Sequence, residues 1–301
     1  MTQPRSESRA VIESLEGRTL LSAAGAPEHL RLARRLVAEV IPENNLYDTP
    51  TVITWKGIDG ANTTTNTSVC STLVTKLMKQ AYGYTSAQIT SWTGESSPEA
   101  EDYYDAVLAG RGFSRITNIA NLQVGDLFVA KYVVYSGTAT GHVAIATAAP
   151  VYTPSDPNNS ASQRVYYLNV IDSSSSYHGS ADTRNRIDPS TGEIDDGVGQ
   201  GTMRMITDNN GLLIKYSWST LSSSVIYDAT ERPSLFARIP GVKPIPGGTP
   251  TEQPPPPKVD PSLFSEVNID RSSLGASLSD SSAVGELDQL LSPPTSANDV
   301  A

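Results

Sequence analysis

Apolar residues return every three to four positions between residues 70 and 82. Leu73, Leu77 and Ala81 form one row, and Val74 and Met78 form the next. That spacing predicts a helix with one buried face. Thr67 or Ser68 suits its N-cap, and Gly83 suits a left-handed stop. Another helix is expected over 27–40 (PEHLRLARRLVAEV), leading into the folded region. A third should take Ser97 as cap and Pro98 as its first helical residue, and end at Gly110. After residue 126 the pattern turns strand-like. Runs at 126–134, 142–147, 164–172, 202–207 and 212–218 read as strands, and 234–239 supplies a last one. Asn210-Gly211, between two of these runs, is a strong hairpin signal. Helices grouped ahead of strands imply an α+β domain whose helices pack on an antiparallel sheet.

The ends of the chain lack this patterning. From Ile239 the sequence reads IPGVKPIPGGTPTEQPPPPKVDP, which favours an extended, semi-rigid spacer. Residues 262–301 are rich in Ser, Asp and small side chains, a composition unable to build a core. Three segments are therefore expected: a leader and leading helix over 1–44, a packed domain over 45–239, and a Pro-rich linker with a disordered acidic tail over 240–301. The 301 residues carry a net charge of -10. An acidic chain without a Lys/Arg stripe is a poor nucleic-acid ligand. No run of about 18 apolar residues offers a membrane span.

Candidate chemistry begins with Cys70, the single cysteine of the chain. It falls in the first turn of the expected helix, where the dipole and free N–H groups favour negative charge. A lone cysteine is also commonly a small buried apolar residue. Of three histidines, His29, His142 and His178, the second opens an apolar strand, Gly141-His142-Val143-Ala144-Ile145-Ala146. Asp172 closes the next one. Neighbouring antiparallel strands would set Asp172 beside His142, giving nucleophile, base and orienter for thiol acyl transfer. The polar run beyond Asp172 contains His178 and Arg184, and Arg184 has the geometry to hold a substrate carboxylate. The acidic residues over 188–196 miss the spacing of a calcium loop and read as a turn. Gly197-Val198-Gly199-Gln200-Gly201 has no helix after it, so it does not read as a phosphate loop. Nothing in the sequence calls for a cofactor or a metal.

Cys70-Ser71-Thr72-Leu73-Val74, Leu122-Gln123-Val124-Gly125-Asp126-Leu127-Phe128 and Gly141-His142-Val143-Ala144-Ile145 together resemble the NlpC/P60 cysteine peptidases, in order and spacing. The resemblance covers about 45–175. It implies a papain-like fold, a Cys70–His142–Asp172 triad and hydrolysis of a peptide or amide bond, with the stem peptides of bacterial cell walls as substrate class. Trp55, Asn66, His178 and Arg184 are then candidate substrate contacts, and a monomer is expected. The chain departs from the family in Val69, where aspartate is common, and in Asp172, where histidine is common. Residues 149–163 look inserted. Near the start, Glu13-Ser14-Leu15-Glu16-Gly17-Arg18-Thr19-Leu20-Leu21-Ser22-Ala23 resembles a motif of exported planctomycete-type bacterial proteins, which implies secretion or surface display. Two other functions fit the same residues: a non-catalytic surface binding module, and a thiol acyltransferase.

Overall fold

The computed structural model describes residues 25–133, 137 and 139–242. The export motif, the Pro-rich stretch from 243 and the acidic tail lie outside the described residues. Among the described residues, four α-helices and twelve strands make an α+β domain: helices α1 (Glu28–Glu39), α2 (Cys70–Tyr82), α3 (Ser86–Thr93) and α4 (Ala100–Leu108) accompany strands that pair mostly antiparallel. The principal sheet has nine strands. These are β4 (Ser114–Ile116), β5 (Leu127–Lys131), β6 (Gly141–Ala146), β7 (Val151–Tyr152), β8 (Gln163–Ser174), β9 (Gly197–Asp208), β10 (Leu213–Ser217), β11 (Ile226–Asp228) and β12 (Ser234–Arg238). Their order is β11-β10-β9-β8-β6-β5-β12-β4, with β7 paired to β8, and every pairing is antiparallel. The expected hairpin at Asn210-Gly211 joins β9 to β10, with Gly211 at positive φ. A small sheet of β1 (Asn45–Leu46), β3 (Thr65–Thr67) and β2 (Val52–Thr54), in that order, delivers the chain to α2.

Alternation along the central strands separates two cores. Leu127, Val129, Val143 and Ile145 face the helices, where they meet Leu73, Leu77 and Met78 of α2 and Leu30 and Leu36 of α1. Phe128, Ala130, Ala144 and Ala146 face the other way, toward Tyr216, Met203 and Phe236. Because the sheet curls until β10 meets β12, this second set is enclosed by the sheet itself.

The sequence reading needs correcting in three places. First, α1 belongs to the packed domain, which therefore starts near residue 28 and not at 45. The cause is chemical: Leu30, Ala33 and Leu36 are fully buried, and His29 is bonded at both ring nitrogens. Its Nε2–H donates to the Gly125 carbonyl at 2.8 Å, so Nδ1 accepts from the Tyr82 hydroxyl at 2.6 Å. Burial pushes the His29 pKa down to about 4, outweighing the Gly125 bond, and the ring is held neutral. Second, the third expected helix starts at Ala100, with Glu99 and not Ser97 as cap residue. Its amide is satisfied by Asp102 Oδ2 at 2.9 Å. Third, neither Thr67 nor Ser68 caps α2. Val69 occupies that position, while the Ser68 hydroxyl donates to Asn66 Oδ1 at 2.7 Å.

The supposed insertion at 149–163 is anchored by Asp156, which accepts from Tyr167 and pairs with Arg204 at 3.0 Å. The acidic stretch at 188–196 is a turn closed by an Ile187–Ile194 bridge, with Asp188 accepting from Ser190 and Asp195 paired to Arg186. Among the described residues no helix is long and apolar enough to cross a membrane.

Truncating Leu36 to alanine should cost about 2–5 kcal/mol, as for other fully buried leucines. Urea denaturation measures it. A loss below about 0.5 kcal/mol, the range of surface substitutions, would show that α1 is not part of the core.

Candidate active site

Cys70 is the first residue of α2 and 5% exposed, more closed than an open cleft would leave it. No side chain caps that helix, so the N–H groups of its first turn are not taken by a capping oxygen. The start of α2 is tied to the sheet by one buried bond: the Ser173 hydroxyl donates to the Ser68 carbonyl at 2.7 Å. Ser173 directly follows Asp172, so this bond joins the segment before Cys70 to the strand that bears Asp172.

His142 is the second residue of β6 and 4% exposed. Gly141, before it, lies so close to β5 that a Cβ there would stand 2.1 Å from the Ala130 carbonyl oxygen. A larger residue would push away the start of the strand. The β6–β8 register pairs Ile145 with Ile171 and Ala146 with Val170. Continued by one step it sets Asp172 across from Ala144, on the same face as His142. The contact follows: His142 Nε2–H donates to Asp172 Oδ2 at 2.7 Å. That leaves Nδ1 free of Asp172, and the Cys70 side chain is close enough to the ring to favour its charged form. Burial opposes the imidazolium. The Cys70 sulfur and the Asp172 bond outweigh it, and the His142 pKa is pushed up to about 9.

Asp172 is itself completely enclosed. Its Oδ2 also accepts from His178 Nε2 at 2.8 Å, and its Oδ1 stands 2.9 Å from Arg184 Nη2 as an ion pair. Burial works against its charge, but Arg184 first and then the two imidazoles hold the carboxyl well below its ordinary range. Arg184 in turn grips Asp182 through Nε (3.0 Å) and Nη2 (2.8 Å). The Trp218 ring stands edge-on to His142, with centroids 4.7 Å apart, and tilted over His178 at 4.3 Å.

The structure brings His142 onto Asp172 with Cys70 near the ring, whereas the four expected substrate contacts take up other positions. His178 and Arg184 have no exposed side-chain surface and lie behind Asp172. Trp55 is buried with its indole N–H on the Leu32 carbonyl at 3.0 Å. Asn66 is fully buried and donates to Asn45 Oδ1 at 3.0 Å, bracing β3 against β1. Each is spent on holding the fold beside the site. Trp218 and Ser173 were not singled out from the sequence. A signal for the buried cluster was present in Gly199-Gln200-Gly201. A Cβ at Gly199 would fall 2.4 Å from Arg184 Nε, and one at Gly201 would fall 2.4 Å from Asp182 Oδ2 and 2.6 Å from His178 Cβ. Alternate glycines on one strand marked the room that the cluster occupies.

Two outcomes are expected here. Arg184→Met should lose about 3–5 kcal/mol by urea denaturation, because it leaves Asp172 and Asp182 as uncompensated buried charges. Stability should also depend on pH in a set direction. Asp172, with its folded pKa lowered, contributes fully above the unfolded carboxylate pKa of about 4 and loses its contribution as pH falls below it. His142, with its folded pKa raised, contributes fully below about 6.5 and loses its contribution as pH rises through about 9. The alkaline decline between those limits should shrink in His142→Gln. An unchanged decline would contradict the assignment.

No family model matches the chain. No solved structure matches it either. Among curated proteins it is similar to an uncharacterized protein, R653, of Acanthamoeba polyphaga mimivirus. The two are 27% identical over 223 residues, which cover 71% of this chain and 96% of the viral protein.

Proposed function

We propose that this protein is a cysteine hydrolase of NlpC/P60 type on a papain-like fold, exported or displayed at the cell surface, that cleaves an amide bond in peptides such as those of bacterial cell walls. The observation that carries the reading is His142 set between two partners. It donates to Asp172 through Nε2 at 2.7 Å, and its charged form is favoured by Cys70, the first residue of a helix with no side-chain cap.

In the proposed reaction His142 Nδ1 takes the thiol proton, and the sulfur attacks the substrate carbonyl. The oxyanion so formed meets the free N–H groups at the start of α2, which point where the negative charge develops. His142 then gives its proton to the leaving amine as the C–N bond breaks. A water molecule, deprotonated by the same ring, opens the thioester and restores the thiol. Asp172 keeps the ring in the required tautomer throughout and accepts no proton.

One observation favours a different reading, a non-catalytic binding module on the same fold: Cys70 and His142 expose very little surface. Thiol labelling decides between the two. Iodoacetamide should modify Cys70 in the native protein near neutral pH, and His142→Ala should slow that modification at least about tenfold. Turnover of peptidoglycan fragments should vanish in Cys70→Ala and fall about 10²–10⁴-fold in His142→Ala. Asp172→Asn should cost less than His142→Ala, since an amide keeps part of the orientation. A native Cys70 that resists the reagent, or reacts alike with and without His142, would leave the binding module as the surviving reading.

A further inference from the structure

A carboxylate that orients one catalytic histidine here accepts from a second. Building on the hydrolase reading, we propose that His178 is a positioning residue of the same site, an imidazolium carrying both ring protons that pins Asp172 from behind and never meets substrate.

The argument is one of donors and acceptors. His178 Nδ1 lies 2.6 Å from the Trp218 carbonyl oxygen, which only accepts. His178 Nε2 lies 2.8 Å from Asp172 Oδ2. A neutral imidazole has one N–H, so one of its two nitrogens would face an oxygen with lone pair against lone pair, fully buried. Leaving a buried pair unmade in this way costs about 1–3 kcal/mol. A proton on each nitrogen satisfies both oxygens at once. The proton on Nε2 is not borrowed from a protonated Asp172, because that carboxylate also faces His142 Nε2 and Arg184 Nη2 and is held ionised by them.

Charge balance agrees. The groups facing His178 are Asp172 from β8, the Trp218 carbonyl and ring from the segment after β10, and Asp182 from its own loop, which accepts from the His178 backbone N–H at 2.8 Å. Arg184 completes the set. Asp172 and Asp182 both stand against His178, so a cation there sits beside two carboxylates.

The consequence for His142 is geometric. Asp172 Oδ2 is shared by two rings, and one indole covers both. Without His178, the carboxylate loses a fixed donor and the Trp218 carbonyl loses its partner. His142 then loses rigidity toward Cys70, which lowers kcat and leaves KM unchanged.

The test uses the full chain carrying ¹⁵N-histidine, whose three rings can be read separately. At about pH 7 the ring of His29 should show one protonated and one bare nitrogen, as its neutral state requires. His178, assigned by its loss in His178→Gln, should show two protonated nitrogens. A bare nitrogen on His178 overturns the proposal whatever the enzyme does. In the kinetic arm, His178→Gln keeps one donor without the charge and should lower kcat, or the rate of Cys70 alkylation, by about 10- to 100-fold at unchanged KM. Wild-type kinetics in a well-folded His178→Gln also overturns it. If that variant does not fold, the spectrum of the native chain still decides. If native Cys70 proves inert while the spectrum shows the doubly protonated ring, the hydrolase reading fails and the assignment of His178 as the cation behind Asp172 stands.

Discussion

A carboxylate buried without water must be surrounded by donors or give up its charge. Asp172 meets that constraint with two imidazoles donating to Oδ2 and the Arg184 charge 2.9 Å from Oδ1, and much of the surrounding structure follows from supplying them. Arg184 requires Asp182 as its own counterion, and Asp182 requires backbone donors from the loop that follows β8. His178 requires a carbonyl, which Trp218 provides from the far side. One ionised side chain thus gathers β8, its following loop, β9 and the segment after β10 around the end of β6.

The helical half of the domain meets this cluster through few contacts. α2 packs on the sheet through its aliphatic rows, which set its distance and tilt but not the rotation of its first turn. That rotation is fixed by polar contacts: Ser173 on the Ser68 carbonyl, Ser68 on Asn66, and Asn66 on Asn45. Asn45 also reaches across to β9, donating to the Val198 carbonyl at 3.0 Å and accepting from its amide at 2.8 Å. Cys70 is therefore located by a chain of buried amides and hydroxyls running back to the sheet that bears Asp172.

Much of this was legible in the sequence where a periodic pattern and a chemical need coincide. Leu73, Leu77 and Met78 announced α2, and the alternation through His142–Ala146 announced β6. Asp172 was found because strand ends in register are neighbours. What escaped was of two kinds. Helix α3 is one of eight residues whose buried face rests on Ile89 and Thr93, too little apolar signal to recognise. The strands β1, β2 and β3 are two or three residues long and are held by Asn and Thr side chains, which read as loop. The burial of His178 and Arg184 was not legible for a different reason. Polar residues after a strand usually meet solvent, and only the compensating charge of Asp172 and Asp182 makes their complete burial affordable. That compensation depends on contacts between distant segments, which one-dimensional patterning does not reveal.

Gly199 and Gly201 are the places where the site is defined by missing atoms. Neither can touch a substrate, and β9 would tolerate alanine at both as far as strand propensity goes. Yet a single methyl at either lands inside the Arg184–Asp182–His178 cluster. In a saturation scan scored by folding, these two positions would register as intolerant although neither carries a side chain. A survey that ranks residues by their distance from Cys70 would overlook them. The perimeter of this cluster is drawn by the space its buried charges need, one layer of chain beyond Cys70 and His142.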